Sequence, residues 1–290
     1  MAATPHENLH AGVWLIADMS LNIWAISIVK SLGGDYPSWQ IVFLRAVVGL
    51  LLLAPWMWRS RRDFLFIENW TLQLLRVALS TVTLTASFFA VARLPLALFM
   101  TMNFTRPLLL IVMAAMLLGE RIPIMRWIAG AVGLVGVIIA LNPDNVSWSW
   151  GLLAVTLTVI SGTAAIIVTR KLKGTPTVVM MTFYTGGLAL LTAIPVYSGW
   201  APIATDHLPF LLLVGVFSQC AQFCFLKAHW LGDAGFLGPL GYTSLLISGA
   251  VGFFVFTEVP TLNTILGAGI IVLATLLISV NSKHRAKETG

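Results

Sequence analysis

Long apolar segments separated by short polar ones follow one another along the whole chain. A helix needs about 20 apolar residues to cross the roughly 30 Å hydrocarbon core of a bilayer. Ten segments of the chain reach that length. They are residues 12–30, 38–58, 70–92, 95–118, 123–141, 149–171, 176–198, 207–230, 234–257 and 261–281. The pattern predicts an all-α integral membrane protein with ten transmembrane helices.

The composition leaves no room for a water-soluble domain beside these helices. Of 290 residues, 58% are hydrophobic and only 10% are charged, whereas soluble proteins carry about 25% charged residues. The formal net charge of +6 would suit nucleic acid, but the basic residues lie in short loops between apolar segments. That distribution indicates membrane topology, and we expect a lipid bilayer and no nucleic acid as partners.

The basic residues also predict the orientation of the chain. Eleven of them would lie on the side of the N-terminus, against only Lys30 and Arg93 at the opposite ends of the helices. The eleven are Arg59, Arg61, Arg62, Arg121, Arg126, Arg170, Lys171, Lys173, Lys283, Arg285 and Lys287. Because cytoplasmic loops are enriched in Lys and Arg, we expect a multi-pass protein of the inner, cytoplasmic membrane with both termini in the cytoplasm.

The chain also contains an internal repeat. A shift of 138 residues places Leu94–Ala140 on Gly232–Ile278 without a gap and aligns Glu120 with Glu258. Each half, residues 1–142 and 147–290, then holds five helices. Since five is odd, the second half enters the membrane in the opposite orientation. The sequence therefore predicts a 5+5 inverted-topology repeat, an arrangement typical of secondary transporters.

Several short runs carry a resemblance to a known family. In the first half they are the run from Phe89 to Ala97, Arg106-Pro107, Gly119-Glu120-Arg121 and Gly130-Ala131-Val132-Gly133; in the second half they are Lys227-Ala228, Gly232-Asp233-Ala234, Tyr242, Thr257-Glu258 and Gly267-Ala268-Gly269. The chain resembles the EamA family of the drug/metabolite transporter superfamily over nearly its whole length. The resemblance implies a ten-helix carrier with a 5+5 inverted repeat and a central cavity.

Two details refine that resemblance. Leu245 stands in the second half where Pro107 stands in the first, so the two halves need not bend alike. The run from Phe225 to Ala228, together with Asn22 and Lys30, is similar to the S-adenosylmethionine uptake branch of the family.

Charged side chains inside the apolar segments are the first candidates for function, because a charge at the bilayer centre costs at least about 2.5–3.5 kcal/mol. Asp18 lies near the middle of the first helix and shares a face with Trp14 and Asn22. It could accept a proton or pair with a substrate ammonium, or be a structural carboxylate. Arg106, one turn after Asn103, could grip a carboxylate with two parallel hydrogen bonds or neutralise Asp18.

Polar and aromatic side chains at similar depth complete the predicted substrate site. Gln219 and Gln222 share one face of the eighth helix and either line a cavity or join helices. Trp24 and Tyr242 would supply flat apolar walls, although Trp24 could equally face lipid. The predicted substrate-binding residues are Asp18, Asn22, Trp24, Asn103, Arg106, Gln219, Gln222 and Tyr242.

Other polar residues have structural explanations. Glu120 and Glu258 each stand before a helix and would cap it, and Arg76 would extend its side chain to the cytoplasmic surface. Glycines in helices five and ten, such as Gly136 and Gly267, would let these helices support each half or pack against a second copy in a homodimer.

No motif indicates catalysis, a cofactor or a metal site. The sequence lacks HExxH, GxSxG and the phosphate-binding GxxxxGK[ST] pattern, and its two cysteines, Cys220 and Cys224, are too few for a thiolate zinc site. We therefore expect no enzyme, but a secondary active transporter that moves a small polar organic metabolite, an amino acid or a derivative, by alternating access. Protons are a candidate coupling partner. The alternatives are uptake of an S-adenosylmethionine-like or vitamin-like substrate such as riboflavin, and a passive channel.

Single-cysteine labelling tests the predicted topology. In a variant without Cys220 and Cys224, cysteines in the 59–69 loop and the C-terminal tail should react from the cytoplasmic side, and cysteines in the 142–148 loop from the other side. The reason is that the basic loops remain in the cytoplasm. Labelling of the two chain ends from opposite sides would rule out the inverted repeat.

Overall fold

The computed structural model describes residues 5–32, 34–64, 69–106, 109, 113, 124–141, 148–172, 175–231 and 243–273. Its helices are α1 (Pro5–Ser31), α2 (Ser38–Arg59), α3 (Trp70–Val91), α4 (Leu96–Asn103), α5 (Ile124–Leu141), α6 (Trp150–Lys171), α7 (Thr177–Ser198), α8 (Leu208–Leu231), α9 (Thr243–Phe256) and α10 (Leu262–Leu273). Two 3₁₀ turns, Arg61–Phe64 and Thr205–His207, precede α3 and α8. All regular secondary structure in these residues is helical.

Six helical segments are long and apolar enough to cross a membrane within the described residues. They lie in α1, α2, α3, α6, α7 and α8. Large apolar side chains point away from the protein on these helices, as at Leu51, Leu190 and Ile194. Helices satisfy their backbone hydrogen bonds internally, which lipid requires. The chain is therefore a multi-pass helical membrane protein.

The observed helix bounds follow the apolar segments closely. For α2, α3, α5, α6, α7 and α8, both ends lie within one residue of the predicted positions. The first helix is longer than predicted, since it begins at Pro5 instead of residue 12. Proline is tolerated in the first turn of a helix, where its missing N–H has no partner in any case.

The described residues form two contact units. The first, here called the α2–α3 unit, comprises residues 24–94 and 150–219. Within it, α3 packs against α6 and α7, and α2 packs against α7. A hydrogen bond of 2.8 Å between the hydroxyls of Thr83 and Ser161 joins α3 to α6. A Cβ on Gly187 of α7 would overlap the side chain of Val77 on α3, so the glycine permits this close approach.

The second, here called the α4–α5 unit, comprises residues 1–23, 95–149 and 220–290. Leu15 of α1 and Ala228 of α8 belong to one buried apolar cluster. Beside it, the rings of Trp14 and Phe223 meet edge to face with centroids 6.1 Å apart. In the same unit, α4 packs against α5 and α9.

A glutamate links α4 to the segment after α9. Oε2 of Glu258 accepts a hydrogen bond of 2.8 Å from the backbone N–H of Leu96, the first residue of α4. The prediction that Glu258 caps the helix that follows it was wrong. The N-terminus of α10 is capped by Thr261, whose hydroxyl accepts from the N–H of Thr264 at 3.2 Å. The equivalent prediction for Glu120 lies outside the described residues.

The fourth helix is interrupted shortly before Pro107. The regular part of α4 ends at Asn103, and Phe104 and Thr105 form a turn before Arg106. A proline disturbs the helix at the carbonyl four residues earlier, which for Pro107 is that of Asn103. Side chains compensate in part, because Thr105 donates to the carbonyl of Met102 at 2.7 Å. Pro107 itself lies outside the described residues.

The contact at Gly187 gives a test of helix packing. Gly187→Ala should lower the thermal unfolding temperature of the purified protein, since overpacking costs about 1–3 kcal/mol. Gly186→Ala is the matched control, because the nearest atom to its Cβ would be Leu50 Cδ2 at 3.9 Å. Adding Val77→Ala to Gly187→Ala should restore stability. Equal unfolding temperatures for the two alanine variants would contradict the packing described.

Candidate functional site

Asp18 is buried in the middle of α1, in the α4–α5 unit. Its side chain is 7% exposed, and Oδ1 accepts a hydrogen bond of 2.7 Å from Nδ2 of Asn22 one turn later. The pairing follows from the helix, because positions i and i+4 lie on the same face. Asp18 and Asn22 therefore form one hydrogen-bonded polar pair in the largely apolar central part of α1.

Arg106 follows the break in α4, in the same unit as Asp18. Its Nε is buried and has no hydrogen-bond partner among the described residues. The amide nitrogen of Asn103, one turn earlier, donates to the carbonyl of Phe99 at 2.8 Å. The guanidinium thus has donor capacity that the described protein leaves unused.

No salt bridge joins Asp18 to Arg106 in the part of the chain that the structure describes. Each is held in the protein without the other, the carboxylate by Asn22 and the guanidinium by burial beside the helix break. A carboxylate and a guanidinium therefore belong to the same unit without a salt bridge between them in the described residues.

Gln219 of α8 belongs to the α2–α3 unit and faces α2 and α7. Its Oε1 and Thr185 Cγ2 lie 2.7 and 2.9 Å from the position that a Cβ on Gly49 would take. Gln219 Nε2 and Thr185 Oγ1 are both buried without a partner in the described residues. The absent side chain at Gly49 therefore lets Gln219 and Thr185 pack closely against α2, and the two unpartnered polar atoms lie beside this contact.

Sequence reasoning did not find Thr185, nor the other buried polar atoms of this unit. Thr182 Oγ1 and both polar atoms of Gln73 also lack partners among the described residues. The available signal was the spacing of Thr182 and Thr185, which places them on one face of α7. That signal is weak, because a threonine in a helix usually bonds to its own backbone.

The prediction that Arg76 extends to the membrane surface was wrong. The side chain is 8% exposed, and it donates from Nε to Thr169 Oγ1 at 2.9 Å and from Nη1 to the carbonyl of Met180 at 3.1 Å. Its guanidinium also lies 5.7 Å from the ring centre of Tyr184. Arg76 therefore joins α3, α6 and α7 inside the protein.

The remaining predicted site residues are distributed as follows. Gln222 is half-buried and belongs to the α4–α5 unit. Trp24 belongs to the α2–α3 unit and is 46% exposed, as expected of a side chain that faces lipid in part. Tyr242 lies outside the described residues. The structure therefore groups Asp18, Asn22, Asn103, Arg106 and Gln222 in one unit, and Trp24 and Gln219 in the other.

Metal-binding groups are scarce in the described residues. No three His, Cys, Asp or Glu side chains there come together as a metal site would require. Cys220 is exposed and Cys224 is buried, and both are free thiols.

Comparison with known proteins gives a family and a range of transported compounds. The chain is 27% identical over 255 residues to an S-adenosylmethionine uptake transporter of Rickettsia felis. This alignment covers 88% of this chain and 87% of that protein. It is also 27% identical to a riboflavin transporter of Rhizobium johnstonii, over 99% of this chain and 97% of that protein. It is likewise 27% identical to a pseudopaline exporter of Pseudomonas aeruginosa, over 95% of this chain and 98% of that protein.

A solved crystal structure has the same fold at low sequence identity. It aligns with a TM-score of 0.68 and 17% identity, and covers 94% of this chain and 98% of the other. The profile of the EamA-like transporter family matches twice, at residues 12–142 and again at residues 148–280. The relatives are named as transporters, not enzymes, and this chain is a member of the EamA-like transporter family.

Proposed function

We propose that the protein is a secondary active transporter that moves a small polar organic metabolite, an amino acid or a derivative, across the inner membrane by alternating access. Its ten transmembrane helices would form two five-helix repeats, residues 1–142 and 147–290, of opposite topology. Both termini would lie in the cytoplasm, in line with the eleven basic residues assigned to that side.

The observation that carries the proposal is the state of Arg106. A guanidinium inside an apolar helix bundle with a buried, unpartnered Nε needs an anion, and none is supplied by the described residues. The substrate is the natural source, because a carboxylate accepts two parallel hydrogen bonds from one arginine. A bound carboxylate would also offset the cost of burying this charge without a partner.

Asp18 would provide the complementary charge. Its carboxylate is held by Asn22 and makes no salt bridge with Arg106 in the described residues. It is available either to a substrate ammonium or to a proton that couples transport to a pH gradient. A substrate with both an ammonium and a carboxylate matches the two residues together.

The named substrates of two relatives differ in how they would fit these residues. S-adenosylmethionine carries the ammonium and carboxylate of an amino acid, which would fit Asp18 and Arg106. Riboflavin carries neither group. An S-adenosylmethionine-like compound is therefore the alternative substrate that these two residues would accommodate, beside the amino acids and derivatives of the main proposal.

Counterflow in proteoliposomes tests the mechanism. Vesicles loaded with unlabelled S-adenosylmethionine, or with one member of an amino-acid panel, should transiently accumulate external label above equilibrium, because a carrier exchanges substrate through one alternating site. Asp18→Asn should retain exchange but lose accumulation driven by a pH gradient, since an amide cannot titrate. Asp63→Asn, which changes an exposed carboxylate, is the control. Flux that never saturates and shows no counterflow would establish a channel instead.

Arg106 has a separate test. If it binds the substrate carboxylate, Arg106→Lys should raise the KM for carboxylate substrates strongly, because a point charge cannot replace the planar, two-pronged contact. The KM for an analogue without the carboxylate should change much less. If Arg106 instead neutralises Asp18, the double variant Asp18→Asn with Arg106→Gln should transport better than either single variant. Near-normal transport by the double variant would eliminate Arg106 as the substrate anchor.

A further inference from the structure

A cavity of about 360 Å³ opens beside the loop between α1 and α2, wholly within the α2–α3 unit. Its wall includes the side chains of Asp35, Trp39, Phe88, Phe89 and Arg93. The volume falls within the range of about 300–1,000 Å³ found for small-molecule sites, which combine apolar walls with a few polar groups.

The two charged residues of this cavity are both available. Asp35 is exposed, and its carboxylate has no hydrogen-bond partner in the described residues. Arg93 is exposed and lies with its guanidinium carbon 3.6 Å from the ring centre of Phe89. It donates from Nη1 to the carbonyl of the same Phe89 at 3.2 Å. A guanidinium has five N–H donors, so most of them remain for a ligand.

The aromatic wall is formed by the ends of two helices next to these charges, since Asp35 precedes α2 and Arg93 follows α3. Trp39, at the start of α2, is 37% exposed, and Phe88 near the end of α3 is buried. The stacked pair of Arg93 and Phe89 is held in a fixed orientation, since stacking and hydrogen bonding act on the same guanidinium. The wall thus offers flat apolar area next to a positioned cation.

Hydrogen bonds between loops hold the cavity in shape. The hydroxyl of Tyr36, another lining residue, lies 2.9 Å from Nδ1 of His207 and accepts from the N–H of Ala204 at 3.1 Å. The side chain of Gln40 forms two hydrogen bonds with the backbone of Ala201, of 2.8 and 2.9 Å. These contacts join the α7–α8 loop to the start of α2 and support one side of the cavity.

We propose that this cavity is a binding subsite for zwitterionic amino acids that have an apolar or aromatic side chain. Asp35 would bind the ammonium, Arg93 the carboxylate, and Trp39 with Phe88 would contact the side chain of the ligand. The subsite deepens the proposed transport function, on which its biological role rests, and is separate in sequence from Asp18 and Arg106. A phospholipid headgroup, like an amino acid, can carry both an ammonium and an anionic group. The experiment below distinguishes a free amino acid from a lipid headgroup as the ligand.

Protection of a local cysteine gives a readout confined to the cavity. In the full chain without Cys220 and Cys224, Ala92→Cys places a thiol in the cavity wall, and Ala201→Cys provides a second reporter should the first fail to fold. The protein is reconstituted in nanodiscs of phosphatidylglycerol, whose headgroup has no ammonium. L-phenylalanine should slow maleimide labelling of either cysteine in a saturable manner.

A probe that lacks one charged group should not respond to loss of the residue that would bind that group. Asp35→Asn and Arg93→Gln should each raise the protecting concentration of phenylalanine at least about tenfold, as expected for the loss of a hydrogen bond to a charged group. The weak protection by 3-phenylpropanoate, which lacks the ammonium, should not change in Asp35→Asn. The weak protection by 2-phenylethylamine, which lacks the carboxylate, should not change in Arg93→Gln. The controls Asp63→Asn and Arg62→Gln, exposed charges elsewhere in the unit, should behave as the parent.

The outcomes separate this subsite from the transport function. Protection that follows the matched pattern supports the subsite even if counterflow is absent, in which case the transport proposal alone fails. Counterflow without protection, or protection unchanged by both variants, overturns the subsite and leaves transport standing. Protection by phosphoethanolamine but not by phenylalanine, with the same dependence on Asp35 and Arg93, would assign the cavity to lipid headgroups and overturn the proposal.

Discussion

Lipid leaves no water to pair with a backbone N–H or C=O, and this constraint explains most of the structure. Helices meet it internally, so difficulties arise only where a helix starts or breaks. The N-terminus of α4 is served by Glu258, which follows α9. At the break after Asn103, the side chains of Asn103 and Thr105 bond to carbonyls of the preceding turn. A charged or polar side chain is therefore present at each of these irregular points.

The same constraint distinguishes structural polar side chains from candidate functional ones. Hydroxyls at Thr156, Thr163 and Thr192 bond to the carbonyl four residues earlier, so each is satisfied within its own helix. Thr185 and Gln219 differ, because buried polar atoms of both lack a partner among the described residues. A buried polar group without a partner is destabilising by about 1–3 kcal/mol. Water or substrate at these groups would remove that penalty.

Hydrophobicity alone predicted where most helices lie, because crossing length and apolar content are properties of a local segment. It did not predict which residues cap or pair, because partners come from distant segments. Glu258 precedes α10 in sequence but bonds to Leu96, 162 residues away. Arg76 is close to a helix end, so its place in the sequence suggested that its side chain would reach the membrane surface. Its actual partners on α6 and α7, Thr169 and Met180, are nearly a hundred residues or more away in sequence. The positions of the candidate charges could be predicted from the sequence, whereas the close contact of Gln219 and Thr185 with Gly49 depends on how three helices pack.

Packing glycines recur in the two halves of the sequence repeat, whereas the buried arginines do not. Glycines recur in helices α5 and α10, and in this unit a Cβ on Gly136 would lie only 2.9 Å from the carbonyl oxygen of Gly267. The shift of 138 residues that aligns the repeats places a serine at the position of Arg106 and a valine at that of Arg76. Absence from the second half is therefore shared by a structural arginine and by a candidate binding residue. The two differ in their partners, because the guanidinium of Arg76 donates to two neighbouring helices, whereas the buried Nε of Arg106 has no partner among the described residues.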